Sequence, residues 1–328
     1  MISSLTGATP PRRRNAPLRL AGKLVPALKA VSGIRVAGKA RTLSLGRLGT
    51  LEVRLACNAA EVRRAQKLRY DVFYREMSAV PGTAVALAQR DIDLFDAVCD
   101  HLLVIDHGVR QPRPGRGAGR RSRSGVIVGT YRLLRQDVAE RSGGFYSASE
   151  FDIGTLLARH RGLRFLELGR SCVLPAYRDK RTVELLWHGI WAYVLEHRID
   201  VMIGCASLEG TDPHRLALPL SFLHHHARAP EEWRTRALPE RFVSLDRLPS
   251  AAIAPKAALA ALPPLIKGYL RLGAVIGDGA VIDRQFGTTD VLIILPVSTI
   301  SARYLSHFGP GPSASAGTQI IPSAAAGA

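Results

Sequence analysis

The chain has 328 residues, long enough to bury one large core or two smaller ones, and a formal net charge of +18. The charge is concentrated, because residues 1–50 contain ten Lys or Arg and no Asp or Glu, and residues 110–123 contain six Arg. The remainder is nearly neutral, and neither basic segment interleaves aromatic residues with its Arg residues, which argues against a base-stacking nucleic-acid surface.

Cysteine spacing and hydropathy narrow the class of protein further. The four cysteines are widely spaced and form no CxxC motif, which is typical of free thiols in a reducing compartment. No stretch approaches the ~20 apolar residues that span a bilayer. Residues 1–48 lack the apolar centre of a secretory signal but share the Arg-rich, acid-free bias of a transit peptide, and we predict a disordered leader there.

The first ordered elements follow from apolar periodicity. Residues 51–56 alternate like a half-buried strand, and Asn58 is a predicted N-cap for a helix that runs to about Met77. Residues 101–106 and 125–135 predict the two strands of a hairpin. Its long tip is the Arg-rich loop insertion 110–124, which lies where insertions are tolerated.

The most informative stretch is the predicted strand 164–173, which carries Glu167 and Arg170 among apolar neighbours. Burying a charge without a partner is costly, so such a strand either pairs its charges or uses them. A basic turn follows, and then a predicted helix over about 182–197. Its predicted inner face consists of Leu185, Leu186, Gly189, Ile190, Tyr193 and Val194.

The remaining elements complete an α/β pattern. We predict a strand at 200–207 and a helix that begins at Asp212. Beyond these we predict a strand near Phe242, a helix including 265–272, a strand at 291–295 and a closing helix from about Ser298. Hairpins mixed with helical crossovers indicate a mixed sheet with helices on both faces. The predicted domains are a leader (1–48), a core (49–250), a C-terminal extension packed on the core (251–308) and a disordered tail (309–328).

Four motifs in chain order resemble those of the acyl-homoserine-lactone synthases. They are Arg69–Phe73, Asp91–Asp96, Gly129–Leu134 and Glu167–Arg170. Those synthases are members of the GNAT superfamily and take acyl groups from acyl carrier protein. The resemblance covers about residues 51–175 and implies a GNAT-like α/β fold, with a mixed, mostly antiparallel sheet and helices on both faces.

Motifs further along are similar to a sister family, the ornithine-acyl carrier protein N-acyltransferases. They are Gly210–Pro213, Leu223–His226, Pro264–Ala274, Thr288–Val291 and Arg303–Phe308. This similarity covers about residues 51–308. It implies transfer of a 3-hydroxyacyl group from acyl carrier protein to the α-amine of L-ornithine, giving lyso-ornithine lipid. It implies no bound cofactor and no metal, with acyl-acyl carrier protein as the co-substrate.

Glu167 is the predicted general base, and its alternative role is a structural pair with Arg170. Residues three apart on a regular strand point to opposite faces, so both serve one site only if a bulge intervenes, and Gly169 is well placed for it. By resemblance, backbone N–H groups near Ser171, Cys172 and Val173 polarise the thioester carbonyl. For the Cys172 thiol, packing is favoured over a nucleophilic role, because no His is placed locally to activate it.

The acidic cluster of Asp91, Asp93 and Asp96 binds the amino-acid acceptor, according to the resemblance, and its alternative is a solvated acidic loop. Arg69 and Arg132 are candidates for binding the ornithine carboxylate or for fixing those Asp residues. Asp212 follows a predicted strand, which is a usual place for a binding residue, and is a further candidate for substrate binding.

The turn before the helix at 182 bears on the acyl donor. It contains Arg178, Lys180 and Arg181 but no Gly, whereas the pyrophosphate-binding turn of the superfamily needs small residues to close on two phosphates. This disfavours coenzyme A. The three basic residues are candidates for gripping the phosphopantetheine phosphate or the acidic surface of the carrier, and their alternative is a solvated turn.

The predicted function is therefore ornithine N-acylation by a cytoplasmic protein that contacts the anionic inner membrane peripherally and binds no nucleic acid. Two alternatives stay open at this point. An acyl-homoserine-lactone synthase would share residues 51–175 but leave 264–308 unexplained, and a non-catalytic basic adaptor would act through residues 1–48 and 110–123. Acyl chain length, the use of other amino acids and the oligomeric state are not encoded in readable motifs.

Overall fold

The structure of the chain, a computed structural model, describes residues 44–109 and 125–300. In these ranges one nine-stranded sheet is formed by β1 (Gly46–Leu48), β2 (Leu51–Leu55), β3 (Asp100–Asp106), β4 (Val126–Arg135), β5 (Phe165–Val173), β6 (Val201–Glu209), β7 (Phe242–Val243), β8 (Val275–Asp283) and β9 (Thr288–Pro296). The α-helices of these ranges are α1 (Ala59–Tyr70), α2 (Thr83–Ala88), α3 (Gln136–Arg141), α4 (Ile153–Arg159), α5 (Lys180–Glu196), α6 (Ala217–His226), α7 (Pro255–Ala261) and α8 (Pro264–Arg271).

The sheet consists of two antiparallel halves. Its strand order is β1-β2-β3-β4-β5-β6-β9-β8-β7, and every neighbouring pair is antiparallel except β5 and β6. The parallel ladder between β5 and β6 is short, running from Phe165 opposite Val201 to Glu167 opposite Ile203. Beyond that ladder both strands continue for six residues without pairing to each other, so the sheet opens into a splay between its halves.

Helices cover both faces of the sheet, as predicted. Asn58 caps α1 by accepting a hydrogen bond from the Glu61 N–H, and the helix continues over Asp71–Glu76 in π-helical geometry. The apolar face of α1 packs on β3 and β4. On the opposite face lies α5, and all six residues predicted for its inner side are buried.

The structure corrects several predicted boundaries. The segment predicted as a C-terminal extension packed on the core supplies β8 and β9, which are strands of the central sheet. The first strand begins at Gly46, inside the predicted leader. Helix α6 begins at Ala217 rather than at Asp212, because residues 213–216 form a turn first. Predictions for residues 1–43, 110–124 and 301–328 lie outside the described residues.

A glycine stands where the splay begins. A Cβ atom at Gly204 would collide with the backbone carbonyl of Leu168, so only glycine lets β6 approach β5 this closely. Backbone atoms cannot rotate away as a side chain can. The contact therefore fixes the point beyond which the two strands separate.

Gly204→Ala should lower the free energy of unfolding by about 1–3 kcal/mol, because the strands must move apart to admit the methyl group. Urea unfolding would measure the loss. Gly268→Ala is the matched control, since a Cβ there meets nothing within 4 Å and α8 should gain about 0.5–1 kcal/mol. Equal stability of the Gly204 variant and the wild type would contradict the inference that this contact requires glycine.

Candidate active site

A β-bulge brings Glu167 and Arg170 to the same face of the sheet. Thr130 lies opposite Cys172 and Arg132 opposite Gly169, so two residues of β5, Arg170 and Ser171, share one partner on β4. The left-handed residue of the bulge is Arg170, with φ 49°, and not Gly169 as predicted. That conformation is unfavourable for a side chain other than glycine, and it turns Arg170 toward the face that carries Glu167.

Glu167 holds a turn in place. Its two carboxylate oxygens accept hydrogen bonds from the backbone N–H groups of Tyr146 and Ser147, each at 2.8 Å. Burial raises the pKa of Glu167, although these hydrogen bonds oppose the shift. The alternative of a Glu167–Arg170 ion pair is wrong, because the guanidinium of Arg170 turns to other carboxylates.

Those carboxylates belong to a buried network of three guanidinium groups and three carboxylates: Arg69, Arg132, Arg170, Asp91, Asp93 and Asp96. Arg69 Nε lies 2.7 Å from Asp91 Oδ2, and its Nη2 lies 2.8 Å from Asp96 Oδ1. Arg132 Nη1 donates to Asp93 Oδ1 at 2.6 Å. The charges of the network therefore compensate one another.

Burial limits what the network can bind. The Arg69 side chain is 0% exposed, so it fixes Asp91 and Asp96, which is one of the two roles predicted for it. Arg132 is nearly as buried and fixes Asp93. Burial opposes ionisation of Asp96, but the charges of Arg69 and Arg132 outweigh it and hold the pKa of that carboxyl well below its usual range.

Arg170 is the outermost guanidinium of the network. Its Nη2 and Nε lie 3.3 Å from oxygens of Asp93 and Asp91. The guanidinium also lies over the rings of Tyr146 and Phe286, at 5.0 and 4.8 Å from their centroids. Arg170 thus connects the neutral network to an aromatic patch beside the splay.

A second acidic cluster lies on the same side of the sheet. One carboxylate oxygen from each of Glu150, Asp283 and Asp290 lies within 4.8 Å of the other two. Cys205 on β6 donates its thiol to Glu150 at 3.3 Å, and Arg241 forms an ion pair with Glu150 at 3.4 Å. Burial and the neighbouring charge of Asp290 raise the pKa of Glu150 to about 7.

The end of β5 presents a backbone donor to the splay. The Leu174 N–H donates to the Val128 carbonyl on the β4 side at 2.9 Å. Because N–H groups alternate along a strand, the N–H of Val173 points away from β4, toward the gap. The Cys172 thiol packs against apolar side chains, and burial raises its pKa, in line with a packing role.

The basic turn is only partly available to a ligand. Arg178 forms a bidentate ion pair with Glu76, at 2.5 and 2.8 Å. The Asp179 carboxylate caps α5 by accepting from the Thr182 N–H at 2.8 Å. Lys180 and Arg181 are exposed, and Lys180 lies 3.4 Å from Glu184.

Asp212 is exposed and holds its own turn. It accepts a hydrogen bond from the His214 N–H at 2.9 Å, and its other oxygen lies 3.8 Å from Arg215. Within the described residues the structure does not bring Asp212 into the Arg–Asp network.

Comparisons with known proteins match the sequence of this chain to a family. Residues 68–188 match the family described as Acetyltransferase (GNAT) domain. L-ornithine N(alpha)-acyltransferase from Rhizobium meliloti (strain 1021) is 59% identical over 265 residues, which cover 81% of this chain and 86% of that relative. The protein of the same name from Brucella abortus (strain 2308) is 56% identical over 265 residues, which cover 81% and 91% of the two chains.

The chain belongs to the L-ornithine N(alpha)-acyltransferase family. It is an acyltransferase with a GNAT fold, so the alternative of a non-catalytic adaptor is wrong. A solved structure, FeeM, an N-acyl amino acid synthase from uncultured soil microbes, is 11% identical with a TM-score of 0.39 and covers 76% of this chain and 91% of that one. In the part of the chain that the structure describes, no helix is long and apolar enough to cross a membrane.

Several residues of the site were not predicted from the sequence. Tyr74, whose hydroxyl donates to Asp91 at 3.2 Å, lies in the π-helical continuation of α1. Gln66 was also missed, although it lies with the predicted Arg69 on the apolar face of α1. Two polar residues on that face are a signal of a buried polar network that the sequence carries. Tyr146 and Phe286 carry no local signal, because they reach Arg170 from distant segments.

Arg69→Met should lower the free energy of unfolding by at least about 3 kcal/mol, because Asp91 and Asp96 would stay buried without their cation. Thermal and urea unfolding would measure the loss. Arg63→Met, at an exposed position of the same helix, is the matched control and should change stability by less than about 0.5 kcal/mol. Similar values for both variants would contradict a central role for the network.

Glu150→Gln should stabilise the protein at alkaline pH. The folded-state pKa of Glu150, about 7, lies above its ordinary 4.5, so the protonated form favours folding. That contribution is complete below about pH 4.5 and is lost as the pH rises through 7. Removing the charge should therefore raise the free energy of unfolding by about 1–3 kcal/mol at pH 8 and change it little at low pH.

Urea unfolding at both pH values checks this difference. Glu140→Gln, at an exposed position on α3, is the control and should show no such pH dependence. An equal effect of Glu150→Gln at both pH values would show that burial and the charge of Asp290 do not raise the pKa of this carboxyl.

Proposed function

We propose that this protein transfers a 3-hydroxyacyl group from acyl carrier protein to the α-amine of L-ornithine, which yields lyso-ornithine lipid. The observation that carries the proposal is the 59% identity, over 81% of the chain, to a relative named L-ornithine N(alpha)-acyltransferase. The protein would work in the cytoplasm and contact the anionic membrane peripherally, because its product is a membrane lipid.

The splay between β5 and β6 supports acyl transfer. An extended thioester can lie in the gap as a substitute for the missing strand pairing, with its carbonyl near segment 171–173, where the Val173 N–H points toward the gap. The amine nitrogen then attacks the carbonyl carbon, the C–N bond forms, the C–S bond breaks and the thiolate leaves. The Val173 N–H stabilises the negative charge that develops on the carbonyl oxygen.

The acceptor reaches the protein mostly as an ammonium ion, so a base must take up a proton. We propose that Glu167 does so, directly or through a water. Its carboxylate lies on the face that carries Arg170, and burial raises its pKa toward the working pH. Its hydrogen bonds to the Tyr146 and Ser147 N–H groups keep the carboxylate in one orientation.

The Arg–Asp network supports acceptor binding through Arg170. Asp91 and Asp93 hold its guanidinium at the edge of the network, and its side chain is 15% exposed, so it can receive a substrate carboxylate. Asp96 acts further back, by fixing Arg69 and Arg132. Asp212 lies apart from this network and is proposed only as an outer contact.

The turn before α5 supports a carrier protein as the donor. Its helix N-terminus is already capped by the Asp179 carboxylate, which repels a pyrophosphate. Lys180 and Arg181 are exposed beside it and can contact an acidic carrier surface or a single phosphodiester. Arg178 would contribute after releasing Glu76 or while still paired with it.

An acyl-transfer assay with 3-hydroxypalmitoyl-acyl carrier protein tests the function. We expect the hydroxyacyl-ornithine amide, identified by mass, and a much slower reaction when coenzyme A replaces the carrier. Glu167→Gln should lower kcat by about 100-fold or more and remove the acid limb of the pH–rate profile, since a missing base contributes that much. Glu140→Gln is the matched control and should keep both the wild-type kcat and the acid limb of the profile.

Different results would point elsewhere. A lactone formed from S-adenosylmethionine would make the protein an acyl-homoserine-lactone synthase. No product with either acceptor, from folded protein, would contradict N-acyl transfer from a carrier thioester. A Glu167→Gln variant that loses rate but keeps the acid limb would assign Glu167 a purely structural role.

A further inference from the structure

The two acidic clusters of the site differ in their charge balance. Asp91, Asp93 and Asp96 are matched by three guanidinium groups, as described above. In contrast, Arg241 contacts only Glu150 in the second cluster, and within the described residues neither Asp283 nor Asp290 forms an ion pair. The second cluster therefore has an excess of negative charge in a largely buried position.

One oxygen of this second cluster has no partner. Asp290 is 6% exposed, and its Oδ1 is buried and receives no hydrogen bond from the described residues. A buried carboxylate oxygen without a donor is costly, so a ligand that supplies donors and positive charge is the natural complement. Asp283 uses its Oδ1 to accept from the Gln285 and Phe286 N–H groups, which fixes it beside the gap.

The cluster lies next to the proposed reaction centre. Glu150 ends the 3-10 turn Tyr146–Ser149, whose first two N–H groups donate to the Glu167 carboxylate. Asp290 on β9 lies opposite Ser207 on β6, and Ser207 belongs to the part of β6 that does not pair with β5. The aromatic patch of Tyr146 and Phe286 covers Arg170 on the same side.

We propose that Glu150, Asp283 and Asp290 bind the side-chain ammonium of the acceptor, so that this cluster selects a diamino acid. The proposal rests on the proposed function, because it assigns the distal amine of the same acceptor. An ammonium group has three N–H donors, and three converging carboxylates offer it three acceptors. Arg170 receives the carboxylate at the other end, and the α-amine lies between them at the splay.

Acceptor competition separates this role from a structural one. Ornithine is compared with norvaline, which has the same carbon skeleton without the side-chain amine. We expect Asp290→Asn to lower kcat/KM for ornithine by about 30-fold or more, because a charged hydrogen bond is lost. The kcat/KM for norvaline should stay within about threefold of the wild-type value. Glu150→Gln should shift the preference in the same direction.

The controls use matched substitutions. Asp137→Asn, at an exposed position on α3, should leave the ornithine-to-norvaline ratio unchanged. A wild-type measurement avoids any folding defect: 5-aminopentanoate, which keeps the carboxylate and the side-chain amine of ornithine, should inhibit competitively with ornithine. Pentanoate should be at least about tenfold weaker, because it lacks the ammonium.

Three results would overturn the proposal. Equal loss with ornithine and norvaline in both variants would assign the cluster to catalysis or folding. Equal inhibition by 5-aminopentanoate and pentanoate would show that no site for the side-chain ammonium exists. Stoichiometric Mn²⁺ binding that Asp290→Asn abolishes would make the cluster a metal site. In each case wild-type acylation of ornithine would stand, whereas its absence would overturn the proposed function itself.

Discussion

The guanidinium of Arg69 is sealed from water, and the folded state depends on the carboxylates that surround it. A buried charge of this kind is tolerated only where its partners are close and well oriented. Asp91 and Asp96 meet that requirement from the loop after α2, and they bind this loop to α1. Through Asp93 the same constraint extends to Arg132 on β4 and to Arg170 on β5. The position of the candidate site is thus set by charge compensation between four segments: α1, the loop after α2, β4 and β5.

The network also supports a strained residue. Arg170 holds a left-handed conformation at the bulge, and ion pairs on one side with aromatic rings on the other keep it there. Strain of this kind is found at functional sites because the surrounding structure has to maintain it. Here the bulge lies just before Val173, whose N–H points toward the gap, so the same distortion orients Arg170 and interrupts the ladder with β4.

Local patterns in the sequence were sufficient for much of the fold. The β3–β4 hairpin and the inner face of α5 follow from periodicities of two and 3.6 residues, which local sequence carries directly. Strand β8 was missed because Gly277 and Gly279 interrupt its alternation. The hydrogen bonds of Glu167 could not be predicted from the sequence, since their donors are backbone N–H groups 20 or 21 residues away. Glu150, Asp283 and Asp290 form no motif, because only the tertiary fold brings the turn that ends at Glu150 next to strands β8 and β9.

The order of the strands has a consequence for how such a protein can diversify. The family match at 68–188 contains Glu167 and Arg170, whereas Asp283, Phe286 and Asp290 belong to a hairpin nearly 100 residues later. Because that hairpin joins the sheet through β6, its tip can vary in sequence while β4 and β5 keep their register. Under the roles proposed above, handling of the donor and discrimination among acceptors are encoded in separable stretches of the gene.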